Sequence, residues 1–149
     1  MKSLNNYINE AQNNIIDSTA VINAIKNVST KFSTTKSSIG YDCYDYEIDY
    51  ATVLRYNASS KQPDQIFIFL LKGDVIKVNI HNEPFSTSKN ELDNLLKNTD
   101  FEYEIKEDSY TSGIASVEVP TTKVFIKDGK KNYINVVELF ANFYASKIQ

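Results

Sequence analysis

Cys43 and His81 are the only cysteine and the only histidine of this chain, so they are its first candidates for chemistry. A nucleophilic thiol needs a histidine held against it, and both residues lie at the ends of predicted strands, which would allow such a pair. No neighbouring feature marks Cys43 as an activated thiol, however. A strand-end histidine and a small buried or edge thiol account for both residues. We therefore predict no catalytic residue and no enzyme activity.

Carboxylates at alternate positions are the second candidate for chemistry. Asp45, Glu47 and Asp49 follow one another at a spacing of two, and so do Glu102 and Glu104. On a strand, residues i and i+2 lie on the same face, about 7 Å apart. That spacing suits a glycosidase pair or a hard cation. A solvated outer strand face is the simpler interpretation, and we predict that these carboxylates are exposed.

No metal site and no cofactor site are predicted. One cysteine and one histidine are too few for a zinc site. The sequence contains no P-loop, no GxGxxG motif, no nucleophile elbow and no EF-hand spacing, and it has only four glycines with which to build such loops. A surface is therefore a better candidate for function than a reactive group.

The acidic strands are also rich in tyrosine, which makes their faces the best candidate for a binding surface. Tyrosine is favoured at interfaces because it combines a large apolar area with a hydroxyl group. An anionic surface edged by tyrosines suits a basic protein partner. The candidate partner-binding residues are Tyr44, Asp45, Tyr46, Glu47, Asp49, Glu102 and Glu104. The alternative is an ordinary mixed-charge sheet, since Lys77, Lys123 and Lys127 lie on other predicted strands.

Composition excludes several broad classes of protein. The chain has 149 residues and a hydrophobic content of 42%, which predicts a single domain over residues 1–149. A general nucleic-acid binder needs clustered Lys and Arg to neutralise phosphates. The formal net charge is −3 and the only arginine is Arg55, so we predict no nucleic-acid partner.

Nothing in the sequence predicts export or membrane insertion. A single cysteine excludes an internal disulfide, which is compatible with a reducing compartment. No apolar stretch follows Lys2 as it would in a secretory signal. The longest apolar run, Ile66 to Leu71, is far too short to cross a bilayer. We expect a cytoplasmic protein without membrane contact.

The N-terminal third of the chain changes from helical to strand periodicity. Apolar residues at helical spacing predict one long helix, or two helices, over residues 3–29, with a kink or break at Ser18-Thr19. Residues 29–38 are rich in Ser, Thr and Lys and are predicted to form a loop. Alternation of polar and apolar residues then predicts a strand from Tyr44 to about Tyr56.

A β-hairpin follows. Ile66 to Leu71 is continuously apolar, which is typical of a central strand buried on both faces. Gly73-Asp74 has glycine first and so predicts a type II′ turn. The second strand of the hairpin is predicted over residues 75–80.

A helix and a strand are predicted next. Ser88-Lys89-Asn90-Glu91 has the pattern of a capping box, and the helix that it starts should run to about Asn98. Alternating residues over 101–106 predict a strand, and residues 107–113 are predicted to form a polar loop.

The C-terminal region is predicted to contain short strands and a last helix. A strand over residues 114–119 should end at Pro120, which cannot donate to a ladder. A strand over residues 123–127 leads into Asp128-Gly129, which favours a type I′ hairpin turn and a returning strand. Asn135 would then cap a terminal helix.

This order of elements predicts an α+β fold. Short connections between neighbouring strands favour antiparallel pairing. We expect an antiparallel sheet of about five to six strands, with a long N-terminal helix, a short middle helix and a C-terminal helix packed on it.

The predicted function is that of a non-catalytic protein-binding domain. Its most concrete form is a small acidic immunity- or antitoxin-type protein that neutralises a basic toxin domain. One alternative, based on element order alone, is a dimeric secretion-type chaperone. Another is a small-ligand-binding or enzymatic domain with a pocket between helix and sheet. The chain is expected to be a monomer or a homodimer, and a homodimer would favour the chaperone.

Overall fold

Six strands form one antiparallel sheet and three helices pack on it in the computed structural model, which describes residues 16–36, 48–57, 64–80, 88–111 and 118–148. The strands are β1 (Phe32–Lys36), β2 (Tyr50–Tyr56), β3 (Asp64–Lys72), β4 (Val75–Ile80), β5 (Tyr103–Thr111) and β6 (Glu118–Lys127). The helices are α1 (Ser18–Val28), α2 (Lys89–Leu96) and α3 (Gly129–Lys147). Across the sheet the strand order is β1-β2-β3-β4-β6-β5. The predicted α+β fold class is confirmed.

Strand β3 lies inside the sheet, as its unbroken apolar sequence predicts. It pairs with β2 on one side and with β4 on the other. Ile66 to Leu71 are between 0% and 2% exposed, so both faces of this strand are buried. The predicted turn from β3 into β4 is also confirmed, because Lys72 pairs with Val75 and Gly73 has a φ of +59°.

Helix α1 covers the second part of the segment, residues 3–29, for which one long helix or two helices are predicted. It begins at Ser18, because the carboxylate of Asp17 accepts hydrogen bonds from the N–H groups of Thr19 and Ala20. This start agrees with the break predicted at Ser18-Thr19. Residues 3–15 lie outside the described part of the chain, so a long N-terminal helix is not shown.

Strand β1 corrects the prediction of a loop over residues 29–38. Its Ser-Thr-Thr sequence resembles a loop in composition, but threonine is β-branched and fits a strand. Phe32 supplies the apolar anchor, since it is 1% exposed and its ring meets that of Tyr56 edge-on at 5.9 Å. Pairing with β2 thus decides the structure of a segment whose composition favours a loop.

The capping box at the start of α2 is confirmed, and the strand after this helix is longer than predicted. The hydroxyl of Ser88 accepts a hydrogen bond from the N–H of Glu91 at 3.2 Å. Strand β5 continues to Thr111, so the polar loop predicted from residue 107 is wrong over residues 107–111. Pairing with β6 along this whole stretch maintains a strand that has little apolar sequence.

Pro120 lies within β6 and does not end a strand. It is opposite Ser109 of β5, whereas β4 pairs only with Lys123 to Lys127 of β6. Proline lacks an N–H, so it is tolerated where a strand has a neighbour on one side only. The predicted end at Pro120 is therefore wrong, since the described residues of β4 have no pairing with β6 at this point. Residues 112–117 lie outside the described part.

Helix α3 starts six residues earlier than Asn135, the predicted cap, and replaces the predicted hairpin. Asp128 adopts the left-handed conformation expected at such a turn, with a φ of +54°, but the chain then enters a helix. The reason is a tertiary cap. Asp74 accepts hydrogen bonds from the N–H of Gly129 with its carbonyl (2.8 Å) and from the N–H of Lys130 with its carboxylate (3.0 Å).

All three helices pack on the same face of the sheet, which we call the helix face. Aromatic rings fill the centre of this interface: Phe67 of β3 meets Phe140 of α3 at 5.2 Å and Tyr144 at 6.2 Å. These side chains are at most 4% exposed, so the described helix–sheet interface is a filled core. No helix in the described ranges is long and apolar enough to span a bilayer.

Candidate interaction site on the face opposite the helices

The face of the sheet opposite the helices, called here the opposite face, is divided into two halves. Register places Ala51 and Val53 of β2 beside Leu70 and Ile68 of β3, and these side chains form a small buried cluster. In β4, β6 and β5 the residues whose side chains lie on this face are mostly charged. The candidate site lies in this second half.

A half-open groove of about 760 Å³ crosses the second half. Val75 and Phe125 are apolar side chains in it, and Lys72 and Lys77 are the lysines that line it. The described residues that line it are Asp49, Leu70, Lys72, Gly73, Val75, Lys77 and Phe125.

A second groove of about 510 Å³ continues toward the β5 edge. Val75 and Phe125 line both grooves, so they lie where the two meet. The described lining residues of the second groove are Val75, Glu102, Tyr103, Glu104, Lys106, Phe125 and Lys127. The two grooves and their shared apolar centre are called the Phe125 surface below.

Phe125 and Val75 are apolar residues at positions where a strand is expected to carry polar ones. Val124 and Ile126 face the helices and are buried, so Phe125 between them faces the opposite side. The Nζ atom of Lys106 lies 5.0 Å from the centre of the Phe125 ring, within the range of a cation–π contact. Val75 is 37% exposed. A phenylalanine between two lysines at the polar parity of β6 is the signal by which sequence reasoning could have found this centre.

Asp49 is exposed, as predicted, and it also has a structural role. Its carboxylate accepts a hydrogen bond from the N–H of Gly73 at 2.8 Å, and its own N–H donates to the carbonyl of Leu71. Asp49 therefore holds the turn between β3 and β4. Any substitution of this residue would change the hairpin as well as the charge of the surface.

Glu102 and Glu104 are exposed, in agreement with the prediction, and each has a lysine beside it. Glu102 lies 3.6 Å from Lys127, and Glu104 lies 4.0 Å from Lys106. All four side chains are more than half exposed, so these ion pairs are screened and contribute little to stability.

The other predicted partner-binding residues lie outside the described part of the chain, and so do the two candidates for chemistry. The residues in question are Tyr44, Asp45, Tyr46, Glu47, Cys43 and His81. The structure therefore brings together only Asp49, Glu102 and Glu104 of the predicted set, and places them along the Phe125 surface.

Charge on the described part of this surface is mixed. The lysines predicted to neutralise the acidic strands do lie on the same face: Lys77 is opposite Phe125, and Lys123 is opposite Lys106. Lys72 and Lys127 flank Val75. Groups of both charges thus surround an apolar centre, and lysines outnumber carboxylates among the residues named.

Tyr133 has a hydroxyl that is buried between helix and sheet. Its oxygen lies 2.9 Å from the carbonyl of Phe69, to which it can only donate, and 2.8 Å from the hydroxyl of Thr52. Burial raises the pKa of Tyr133 far above its ordinary value. A neutral, fully bonded phenol of this kind stabilises the core and is not a reactive group.

The described residues contain no group of three His, Cys, Asp or Glu side chains that could hold a metal ion. Comparison of the chain with protein-family models, with curated proteins and with solved structures gave no match.

Proposed function

We propose that this protein is a non-catalytic protein-binding domain and that it binds its partner through the Phe125 surface. The observation that carries the proposal is the position of Phe125 and Val75, two partly exposed apolar side chains at the junction of two grooves in a charged face. Protein interfaces have this composition, with an apolar centre that is desolvated on binding and a polar rim.

The mixed charge of the surface supports a protein partner over a general polyanion. Glu102 and Glu104 lie among the lysines of this face and would repel a phosphate backbone. A protein can present charges of both signs in a matching pattern. A basic partner stays a prediction, and the described lysines give it no additional support.

The more specific versions of the function also stay predictions. An immunity- or antitoxin-type role requires a toxin as the partner, and a secretion chaperone requires an effector protein. A small-ligand domain with a pocket between helix and sheet finds less support, because described side chains fill that interface, whereas the two grooves lie on the other face.

The test compares two phenylalanines that have similar surroundings on different faces. Phe125 has Lys106 at 5.0 Å from its ring, and Phe143 of α3 has Lys147 at 4.7 Å. Both rings are half-buried. Tagged wild type, Phe125→Ala and Phe143→Ala would be used as baits in the source cells, with quantitative mass spectrometry of the proteins recovered.

We expect at least one protein to be recovered with wild type and with Phe143→Ala but lost with Phe125→Ala. Truncation of a central aromatic anchor commonly costs about 2 kcal/mol or more of binding energy, so recovery should fall about 30-fold. If the proteins recovered with Phe125→Ala match those of wild type in identity and amount, this surface is not the binding site. Thermal unfolding of both variants checks that each is folded.

A further inference from the structure

Strand β5 forms one edge of the sheet, and its backbone has a defined direction at that edge. It pairs with β6 on one side, and no described strand pairs with its other side. The N–H of Lys127 donates to the carbonyl of Glu102 at 2.9 Å. Because antiparallel strands alternate between residues that bond to the neighbour and residues that point away, the backbone groups of Glu104 and Lys106 also point toward β6.

The residues between them therefore present backbone groups that pair with no other described strand at the edge. These residues are Tyr103, Ile105 and Glu107, each with an N–H and a carbonyl directed away from β6. Exposed edges of this kind are templates for a further strand. The side chains of β5 determine which strand can pair there without placing like charges opposite each other.

The sequence of β5 is self-complementary about Ile105. If two copies of β5 pair antiparallel with Ile105 opposite Ile105 of a second copy, Glu104 of each copy lies opposite Lys106 of the other. Opposite charges directly across a strand pair stabilise it, and like charges destabilise it. Glu104 and Lys106 are 68% and 57% exposed and lie on one face, so both are available for this exchange.

Other centres of symmetry are less favourable. Pairing about Lys106 places two lysines opposite each other, and pairing about Glu107 does the same for two glutamates. The register about Ile105 also contains one kind of like-charge pair, because it places Asp108 opposite Glu102. The carboxylate of Glu102 already has Lys127 beside it, at 3.6 Å. Strand β1, the other edge, has the sequence Phe-Ser-Thr-Thr-Lys and carries no opposite charges to select a register.

We propose that two copies of this protein associate edge to edge through β5, in antiparallel register about Ile105. Tyr103, Ile105 and Glu107 of the two copies would form about six backbone hydrogen bonds across the twofold axis. Residues directly opposite each other share a face, so both sets of helices lie on one side of the joined sheet. The two Phe125 surfaces then lie side by side on the other, because the second groove reaches Glu104 and Lys106.

The interface is small, and the expected dimer is weak. A short strand pair buries less than the roughly 1,200 Å² of a standard interface, so association should appear only at high protein concentration. Added salt should weaken it, because the Glu104–Lys106 pairs are exposed and screened. The proposal does not depend on the proposed function, since it concerns a second copy of this chain and not a different protein.

Charge reversal tests both the contact and its register. Sedimentation equilibrium would be measured up to about 1 mM protein for wild type, Glu104→Lys, Lys106→Glu and the double exchange Glu104→Lys/Lys106→Glu. Each single variant converts two attractive cross-strand pairs into two repulsive ones, so dimerisation should weaken about tenfold. The double exchange restores opposite charges and should dimerise as wild type does.

A mixture of the two single variants is the decisive sample. At positions 104 and 106 the variant Glu104→Lys carries two positive charges and Lys106→Glu carries two negative ones. Each variant should therefore pair with the other as tightly as wild type pairs with itself, although each self-associates more weakly. Intermolecular NMR contacts between residues 104 and 106 of differently labelled copies should report the register. A monomeric wild type, single variants that associate as wild type does, or a mixture that fails to associate would each overturn the proposal.

Discussion

The helix face and the opposite face of the sheet differ in how they use aromatic residues. On the helix face Phe67, Phe69 and Phe140 pack ring against ring and are at most 1% exposed. On the opposite face Phe125 is only half-buried, and its contact is with a lysine. The same residue type thus stabilises the fold on one side and remains partly available for contact with other molecules on the other side.

The two faces also differ in how polar groups are satisfied. Tyr133 and Thr52 on the helix face are buried and bonded to each other. On the opposite face Glu102 and Glu104 have lysine neighbours, but all these side chains remain largely in water. Removing a polar group should therefore lower the stability of the fold substantially on the helix face and only slightly on the opposite face.

The largest expected contrast comes from the same truncation on each face. Phe140→Ala should lower the free energy of unfolding by about 3–5 kcal/mol, because it leaves a cavity in a filled core. Phe125→Ala should lower it by only about 1 kcal/mol, since that ring is already partly solvated. Urea unfolding of both variants measures the difference, and equal losses would contradict the division into a packed face and an available one.

A smaller effect is expected from the buried phenol. Tyr133→Phe should cost about 1–3 kcal/mol, because it leaves buried polar groups without a partner. Thr52→Val in addition to Tyr133→Phe should cost less than the sum of the two single changes, as the hydroxyl left alone is then also removed. Additive losses in this double-mutant cycle would show that the two hydroxyls are not coupled.

The smallest expected effect on stability comes from comparing an ion pair on the helix side with one on the opposite face. Lys147 donates to the carboxylate of Glu91 at 2.7 Å, and this hydrogen bond lowers the pKa of Glu91. A lowered folded pKa means that the stabilisation is complete above the unfolded pKa of about 4.3 and is lost as pH falls through the folded value.

Glu91→Gln should therefore destabilise the protein slightly at pH 7, by less than about 1 kcal/mol because the pair is partly exposed. The difference from wild type should disappear at strongly acidic pH. Glu102→Gln is the matched control on the opposite face, and we expect no measurable change with it at either pH. Chemical unfolding of both variants at the two pH values is the measurement, and a Glu91→Gln effect that grows on acidification would reverse the assigned sign.

The sequence correctly predicted the elements that are stabilised by residues close to them in the chain. The apolar run of Ile66 to Leu71, the glycine-first turn at Gly73 and the capping box at Ser88 each contain their own physical reason, and each is confirmed. Exposure of Asp49, Glu102 and Glu104 was also predictable, because isolated carboxylates are costly to bury. The surface that joins these carboxylates was not predictable from local sequence, since alternation along β6 indicates only that Phe125 belongs to a strand.

The tertiary structure decided the elements that depend on residues distant from them in the sequence. Asp128-Gly129 favours a hairpin by itself, but Asp74 caps the segment from a distant turn and makes it a helix. Strand β1 depends on pairing with β2, and Pro120 is tolerated in β6 because the described residues of β4 do not pair at that position. In each case a partner distant in sequence supplies or withholds the hydrogen bonds, and only the folded chain brings that partner into place.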